Sequence, residues 1–387
     1  MTLSQNDAFY RKVRLIARLF LFVFLVYLFL VAVKLFGTAA TVYTSCDKDI
    51  LTTLASQLEN PFTGLCLGII LTALMQSSSA TTSLAVAMVA SGVIPLQGAI
   101  PIAIGSNIGS ALTCSLASLM HIGRERRTFS KAFSVSLIQE IFNVITAFIC
   151  LALEIGFGFL TKISMFLASL VPASAAGSST GFNPLSYAIN APAKSIRDFC
   201  LLGMSPTFTA ALMALCGLII LIISLIYITK NMKVLMADKI EVWLDRVLSK
   251  NGYIGLLAGI VVTMIIQSSG ITTSLLVPLV AAGALSLRTV YPIGLGSNIG
   301  TTITAILAAM AFLGSPTGQL GLALAFAHSL FNITGVVLFY PIPQTRIPVF
   351  LAKPLSVFLT RSRIYVVCWI AMLYFILPGL GFLLFRN

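Results

Sequence analysis

Two polar octets, QSSSATTS at residues 76–83 and QSSGITTS at residues 267–274, interrupt apolar segments and lie 191 positions apart. The likeness extends outward from them without a gap, because residues 64–113 and 255–304 are identical at 25 of 50 positions. The motif GSNIG recurs in both aligned segments. Shared apolar composition does not concentrate identities on Gln, Ser, Thr, Asn and Gly. The chain therefore contains an internal repeat.

The composition is that of a membrane protein. Hydrophobic residues make up 58% of the chain and charged residues 9%, whereas soluble domains are about 45–50% apolar and about 25% charged. This excludes a soluble globular enzyme and a disordered protein. The net charge of +13 is spread over short loops rather than gathered on one polar face, as in nucleic-acid-binding proteins. We therefore expect the lipid bilayer as the main solvent and no nucleic-acid partner.

Seven apolar runs are long enough to span the hydrocarbon core, which takes roughly 20 residues. The first, about Leu15 to Phe36, follows four basic residues between positions 11 and 18, which predicts an uncleaved helix and a cytoplasmic N-terminus. The regions around the octets, 62–92 and 253–284, divide into halves of about 11–14 residues, which predicts re-entrant or broken helices. The other runs lie near residues 99–120, 132–155, 204–229, 290–313, 320–340 and 364–385.

The charges of two corresponding loops predict how the repeats are oriented. The loop after the first GSNIG helix carries four basic residues between positions 124 and 131, whereas its counterpart at 314–319 carries no charge. Because basic loops are cytoplasmic, we expect these loops on opposite sides of the membrane. The predicted fold is thus an all-α polytopic membrane protein with two inverted repeats and broken or re-entrant helices.

Two further composition patterns complete the division of the chain into five segments. A stretch rich in Ser, Ala, Gly, Pro and Asn at 172–190 predicts an external linker, and alternating charges at 230–250 predict an amphipathic helix at the cytoplasmic surface. The segments are an N-terminal part with the first helix (1–59), repeat 1 (60–171), the linker with a transmembrane and an amphipathic helix (172–250), repeat 2 (251–345) and a C-terminal part with the last helix (346–387).

A helix broken at mid-membrane can bind ions of both signs. The second half exposes free backbone N–H groups and the positive end of its dipole, which attract an anion. The hydroxyls placed to donate to that anion belong to Ser77, Ser78, Ser79, Ser268 and Ser269. Carbonyls at the ends of the first halves, together with the side-chain oxygens of Gln76 and Gln267, suit a hard cation such as sodium. Helix packing is the simpler role for small residues, and we assign it to the four GxxxG pairs at 64–68, 105–109, 255–259 and 296–300.

The residues that the octets lack narrow the mechanism. Neither octet contains Lys, Arg, Asp, Glu or His, so dipoles or bound cations must balance an anion, and sodium coupling is favoured over a proton relay. The isolated His121 and His328 predict no zinc site, and the absence of a Walker A motif excludes ATP-driven transport by this chain. We expect no cofactor beyond sodium as the coupling ion. Glu140 is a candidate intramembrane carboxylate, and Glu154 is expected at the outer interface.

The ordered motifs resemble the type II sodium–phosphate cotransporters. The resemblance rests on the paired QSS motifs, the two GSNIG elements, the run YPIGLGSNIGTTITAILAAM at 291–310, His328 with Phe331-Asn332, and YPIP at 340–343. It covers roughly residues 60–385. It implies sodium-driven uptake of inorganic phosphate by alternating access. Animal members of that family have a long external loop, and the segment at 172–200 is a short counterpart of it. The resemblance therefore implies a bacterial member, which would be a multi-pass protein of the inner membrane.

The resemblance also implies roles for residues of both repeats, while the sequence leaves some alternatives for the cargo and the assembly open. Another oxyanion or a dicarboxylate as the cargo, and a phosphate channel or sensor, are the alternatives that the sequence leaves open. The expected partners are phosphate, sodium and lipid, and a homodimer is among the assemblies that stay open. The predicted phosphate-binding residues are Gln76, Ser77, Ser78, Ser79, Ser268 and Ser269, and the predicted sodium-binding residues are Gln267, Ser268, Asn298, Thr301, Thr304 and Asn107.

Overall fold

The described part of the chain consists of helices joined by turns. The computed structural model describes residues 2–46, 53, 56–172, 184–248 and 252–386, and no strand occurs among them. Seven helical segments in these ranges are apolar and long enough to cross a membrane, which confirms an all-α polytopic membrane protein. The helices are α1 (Thr2–Cys46), α2 (Pro61–Met75), α3 (Ser78–Ala90), α4 (Leu96–Leu119), α5 (Arg126–Phe157), α6 (Phe159–Ser169), α7 (Pro184–Leu201), α8 (Pro206–Leu248), α9 (Gly252–Ile266), α10 (Ser269–Ser274), α11 (Leu276–Ala281), α12 (Leu287–Thr301), α13 (Ile303–Met310), α14 (Gly318–Phe339), α15 (Ile347–Leu359), α16 (Arg363–Ala371) and α17 (Leu377–Phe385), with a π-helical turn at Met372–Ile376 between the last two.

Two helices are longer than the sequence predicts. α1 begins well before Leu15 and ends well after Phe36, and α8 joins the run at 204–229 and the segment at 230–250 into one helix. The predicted apolar runs are the central parts of these longer helices, because neither segment contains an internal proline that would end a helix early. The amphipathic face predicted for 230–250 falls mainly on side chains outside the described residues.

The predicted linker is only partly irregular. Of the stretch at 172–190, residues 173–183 lie outside the described residues, whereas α7 begins at Pro184 and continues to Leu201. Proline is well tolerated in the first turn of a helix, because its fixed φ angle suits the helix and its missing N–H has no partner there. The predicted linker is therefore helical from residue 184 onward.

Glycines bring the first half of each broken helix against the following GSNIG helix. A methyl group at Gly68 of α2 would lie 2.2 Å from the carbonyl oxygen of Ile102 in α4, and one at Gly105 of α4 would lie 2.1 Å from that of Leu65. The equivalent glycines of α9 and α12 lie equally close to the facing backbone, with distances of 2.1 Å at Gly259 and 2.0 Å at Gly296. The helix-packing role assigned to the GxxxG pairs is confirmed, since no larger residue fits these contacts.

The two loops that differ in charge lie at opposite ends of α4. Thr317, in the uncharged loop, donates its hydroxyl to the carbonyl of Ala90 at 2.7 Å, next to the turn that leads into α4. Lys131, in the basic segment, follows the other end of α4 and lies 3.2 Å from the methyl position of Gly283. Since α4 has 24 residues, its ends are about 36 Å apart.

Candidate functional site

Each octet begins at a helix break with the same backbone geometry. Gln76 ends α2 with φ 52°, and Ser77 then adopts an extended conformation with φ −154°. Gln267 has φ 63° and Ser268 has φ −153° at the second break. The two glutamines are the only non-glycine residues with positive φ in the described ranges. A left-handed conformation costs an ordinary residue roughly 1–2 kcal/mol, so both repeats maintain the same unfavourable turn at the same position.

Both glutamine side chains are held in matching ways. Each donates its amide nitrogen to the carbonyl three residues earlier, at 2.6 Å for Gln76 and 2.9 Å for Gln267, and so satisfies an acceptor that the helix end leaves free. Each amide oxygen accepts a threonine hydroxyl, from Thr113 at 3.3 Å in repeat 1 and from Thr304 at 2.8 Å in repeat 2. The glutamine oxygens therefore stay at the breaks, close to the exposed carbonyls.

The serine that follows each glutamine caps the next helix. Ser77 Oγ accepts a hydrogen bond from the N–H of Ala80 at 3.2 Å, and Ser268 Oγ accepts one from the N–H of Ile271 at 3.4 Å. A side-chain cap of this kind satisfies one of the free N–H groups at a helix start. The hydroxyl protons of both serines remain free to donate.

One small cavity joins the two breaks. Its volume is about 10 Å³, which is roughly the room that one water molecule needs. The breaks also touch directly, because Ser79 Oγ lies 3.4 Å from the backbone carbonyl of Gln267 and donates to it. All six predicted phosphate-binding residues line this cavity, which is formed by Gln76, Ser77, Ser78, Ser79, Ser110, Thr113, Ser268, Ser269 and Gly270.

Two hydroxyls on the cavity wall have no hydrogen-bond partner among the described residues. Ser78 is 6% exposed and Ser269 is 5% exposed, and the described hydrogen bonds include none from or to either Oγ atom. Neither Oγ is among the fully enclosed side-chain atoms that lack a partner, so both hydroxyls, one from each repeat, are accessible from the cavity and free to bind an occupant. Thr113 and Ser110 were missed as lining residues. Thr113 could have been found from its equivalence to Thr304 at the 191-residue shift.

Three of the six predicted sodium-binding residues lie at the second break, and the other three lie elsewhere. Gln267, Ser268 and Thr304 lie at the second break, where Thr304 is hydrogen-bonded to Gln267. Thr301 donates its hydroxyl to the carbonyl four residues earlier in its own helix. The described hydrogen bonds of the remaining two, Asn107 and Asn298, run instead to a second polar cluster.

That second cluster connects the repeats through reciprocal amide pairs. Asn332 of repeat 2 donates to Asn107 Oδ1 at 3.1 Å, and Asn298 of repeat 2 donates to Asn143 Oδ1 at 3.2 Å. Asn107 corresponds to Asn298 and Asn143 to Asn332, so the same two positions are paired in both bonds, although repeat 2 supplies the donor in each. His328 Nε2 also lies 3.3 Å from Asn107 Oδ1. Within the described residues, Asn332 Oδ1 is buried and has no hydrogen-bond donor.

Glu140 is a buried carboxylate that accepts four hydrogen bonds. It is 1% exposed. Ser115, Ser136 and Tyr374 donate hydroxyls to Oε1 at 2.5, 3.0 and 3.0 Å, and Trp369 Nε1 donates to Oε2 at 2.7 Å. Four hydrogen bonds offset much of the free-energy cost of burying a carboxyl group. The sequence indicated Glu140, but not its partners near the C-terminus, which lie more than 200 positions away.

Glu154 stabilises the junction between α5 and α6. Its Oε2 accepts the N–H groups of Leu160 at 2.7 Å and Thr161 at 3.2 Å, and its Oε1 accepts the hydroxyl of Thr161. A carboxylate at a helix start satisfies free N–H groups and interacts favourably with the dipole. Its position at the outer membrane interface stays a prediction.

Comparisons with known proteins identify the family. A sequence model of the Na+/Pi-cotransporter family matches residues 28–172 and 220–344. The chain is 30% identical over 393 residues to "Sodium-dependent phosphate transport protein 2A" of Ovis aries, covering 84% of this chain and 61% of the relative. It is 26% identical over 447 residues to "Sodium-dependent phosphate transport protein 2B" of Homo sapiens, covering 94% of this chain and 64% of the relative.

These relatives are considerably longer than the aligned part, so the chain spans less than two thirds of their length. No solved structure matches the chain. The family match covers both helix breaks, both GSNIG helices and the amide pairs. The chain therefore belongs to the Na+/Pi-cotransporter family.

Proposed function

We propose that the chain is a symporter that couples sodium entry to the uptake of inorganic phosphate by alternating access. The observation that carries the proposal is the neutral cavity to which both repeats contribute one unpartnered hydroxyl, Ser78 and Ser269. The family and the names of the relatives support phosphate as the cargo and sodium as the coupling ion. Such a chain is a transporter and not an enzyme.

The cavity offers hydrogen-bond donors but no positive side chain. Phosphate oxygens can accept from the hydroxyls of Ser78 and Ser269 and from the free N–H groups where α3 and α10 begin. Every lining residue is uncharged. A divalent anion buried here would therefore need cations beside it, which explains in physical terms why uptake would require sodium.

Neutral oxygens suited to sodium lie next to this cavity. The backbone carbonyl and Oε1 of Gln267 and the hydroxyl of Thr304 converge at the second break, and hard cations prefer such oxygen ligands. Asn107 and Asn298 remain candidates in the amide cluster, where the buried Oδ1 of Asn332 has no donor and can accept a cation. We propose Ser268 and Thr301 as further ligands, on the basis of their positions at the second break and on α12.

The size of the cavity supports a mechanism with moving parts. Phosphate has five heavy atoms, whereas a volume of about 10 Å³ holds roughly one water molecule. The breaks must therefore separate to admit the ion. The positions of the uncharged and basic loops at opposite ends of α4 support inverted repeats, in which one repeat can rock against the other around a shared site.

The membrane-length helices support a multi-pass protein of the membrane. We propose the plasma membrane as its location and, for a bacterial source, the inner membrane. A homodimer stays a prediction, because the described residues form one chain.

Uptake into proteoliposomes tests the proposal. Radiolabelled phosphate should accumulate, with saturation, under an inward sodium gradient and not under an equal choline gradient. Ser224→Ala is a matched control, because Ser224 is a buried serine that bonds only to the carbonyl of Leu221 in its own helix. Uptake should persist in this control.

Competing anions test the alternatives in the same vesicles. Excess unlabelled phosphate should abolish uptake, whereas sulfate and succinate should not. Inhibition by succinate or sulfate at concentrations equal to phosphate would instead favour a different anion as the cargo. Uptake that is independent of sodium would contradict the symport mechanism and favour a channel.

A further inference from the structure

A second and much larger cavity opens beside the basic loop. Its volume is about 1030 Å³, at the upper limit for sites of organic ligands and far above that of the cavity between the helix breaks. The beginning of α5, the turn that leads into α12, and α15 form its walls. Five cationic side chains line it, namely Arg126, Arg127, Lys131, Arg288 and Lys353.

No described carboxylate forms an ion pair with any of these five cations. The lining contains no Asp or Glu, and the one ion pair within the described ranges joins Arg197 to Asp198 elsewhere. Arg126 is partly fixed in place, because its Nη2 donates to the carbonyl of Val357 in α15 at 3.0 Å. Cations gathered around one concave surface repel each other and raise the local concentration of anions.

The interior of this basic cavity is amphipathic. Its buried hydroxyls include Ser130 and Ser356, whose oxygen atoms are 3.1 Å apart, and Ser134 and Thr360. Apolar side chains complete the lining, namely Val280, Leu285, Leu287, Val349, Phe350 and Val357. An occupant that matches all of this has an anionic group for the cations and an apolar part for the remaining wall.

The basic cavity is separate from the cavity between the breaks. The two have no lining residue in common. A buried apolar cluster that includes Cys114, Val277 and Val280 adjoins both, since Val280 lines the basic cavity and Cys114 follows Thr113, which lines the small one.

We propose that the basic cavity is a second binding site for phosphate groups. Guanidinium groups bind phosphate oxygens in pairs of parallel hydrogen bonds, and lysines add compact positive charge. The free N–H groups at the N-termini of α5 and α12 attract anions as well. The size and the apolar wall favour an anionic phospholipid headgroup, and the free ion offers the same chemistry. The proposal does not rest on transport through the small cavity.

Protection of an introduced thiol tests this site. Val357→Cys places a thiol on the exposed part of the cavity wall, and Cys368, which is exposed and outside the lining, serves as a reference in the same molecule. Both positions are alkylated in sodium-free buffer, and peptide mass spectrometry measures the extent of alkylation at each. One arm adds inorganic phosphate to delipidated protein in detergent. The other compares nanodiscs of phosphatidylcholine with and without phosphatidylglycerol.

We expect a phosphate-bearing probe to slow alkylation of Val357→Cys but not of Cys368. Protection by inorganic phosphate identifies the free ion as an occupant, and protection that requires phosphatidylglycerol identifies the lipid. Arg288→Gln/Lys353→Gln should need about tenfold or more probe for the same protection, as for lost hydrogen bonds to a charged group. Lys162→Gln/Lys230→Gln removes equal charge outside the lining and should leave protection unchanged.

Three results would overturn the proposal. These are no protection in either arm, an equal loss in the control pair, and full protection in the Arg288→Gln/Lys353→Gln variant. The first can be judged from Val357→Cys alone, so the test stands even if the double variants fold poorly. Protection should persist in a Ser78→Ala/Ser269→Ala background, so a failure of the transport proposal would not be mistaken for a failure of this one.

Discussion

Removing the unpartnered hydroxyls should weaken phosphate binding without weakening the fold. In Ser78→Ala and Ser269→Ala no internal hydrogen bond of the side chain is lost, because neither Oγ has a protein partner among the described contacts. Each change instead removes a donor to a desolvated anion. Such a bond is worth about 1.5–3 kcal/mol, which corresponds to a roughly 10- to 150-fold rise in the phosphate concentration for half-maximal uptake.

The neighbouring serine provides a contrast within the same turn. Ser77 caps α3 by accepting the N–H of Ala80 at 3.2 Å, so Ser77→Ala should lower the free energy of unfolding by about 0.5–2 kcal/mol. Thermal unfolding in detergent should therefore separate the two serines, with Ser78→Ala close to the unmodified protein and Ser77→Ala less stable.

Phosphate uptake at saturating sodium measures the first effect. If both hydroxyls bind the same ion, the two fold-changes should combine in Ser78→Ala/Ser269→Ala, apart from coupling between neighbouring groups. Ser224→Ala controls for loss of a buried serine hydroxyl. A half-saturation within twofold of the unmodified protein in both single variants would refute the assignment of these residues to phosphate.

Three further predictions concern the cation, the topology and the helix contacts. Gln267→Ala should raise the sodium concentration for half-maximal uptake, and a change in phosphate affinity alone would assign this residue to the anion instead. With all native cysteines replaced, an impermeant thiol reagent added outside should label Ser315→Cys at once and Thr128→Cys only after permeabilisation, whereas equal labelling would contradict inverted repeats. Gly105→Ala should destabilise the protein by about 3 kcal/mol or more, because the new methyl group would lie 2.1 Å from a backbone oxygen. Gly123→Ala meets nothing within 4 Å and should leave the thermal unfolding temperature unchanged.

The helix breaks could be predicted because their signals are local. A polar octet in an apolar run, followed at each copy by the same GSNIG helix, specifies where the helix ends and which side chains face the break. The repeat also contains long-range information, since Thr113 and Thr304 bind equivalent glutamines. α1 and α8 extend beyond their apolar runs because a helix without an internal proline can continue after the apolar sequence ends.

Other contacts have no local signal. Glu140 could be singled out as a carboxylate in an apolar run, but its donors Trp369 and Tyr374 come from a region outside the repeat. Nothing in the spacing of those aromatic residues indicates that they turn toward α5. The basic cavity depends likewise on α15 lying against the start of α5, where Ser356 meets Ser130. The sequence alone shows that these basic residues are present, but not that they line one cavity.

The reciprocal amide pairs bear on how such a chain could arise. Because Asn332 donates to Asn107 and Asn298 donates to Asn143, these two bonds join one repeat to the other and neither can form within a single repeat. A polypeptide with a single repeat would have to associate with a second copy, and it would form both bonds across a two-fold axis. Duplication followed by fusion turns that encounter into an intramolecular one, with an effective concentration set by the connecting segment and independent of expression level. It also frees the two copies to diverge, and the replacement of Ser79 by Gly270 at the equivalent position is a difference that an assembly of identical subunits could not have made.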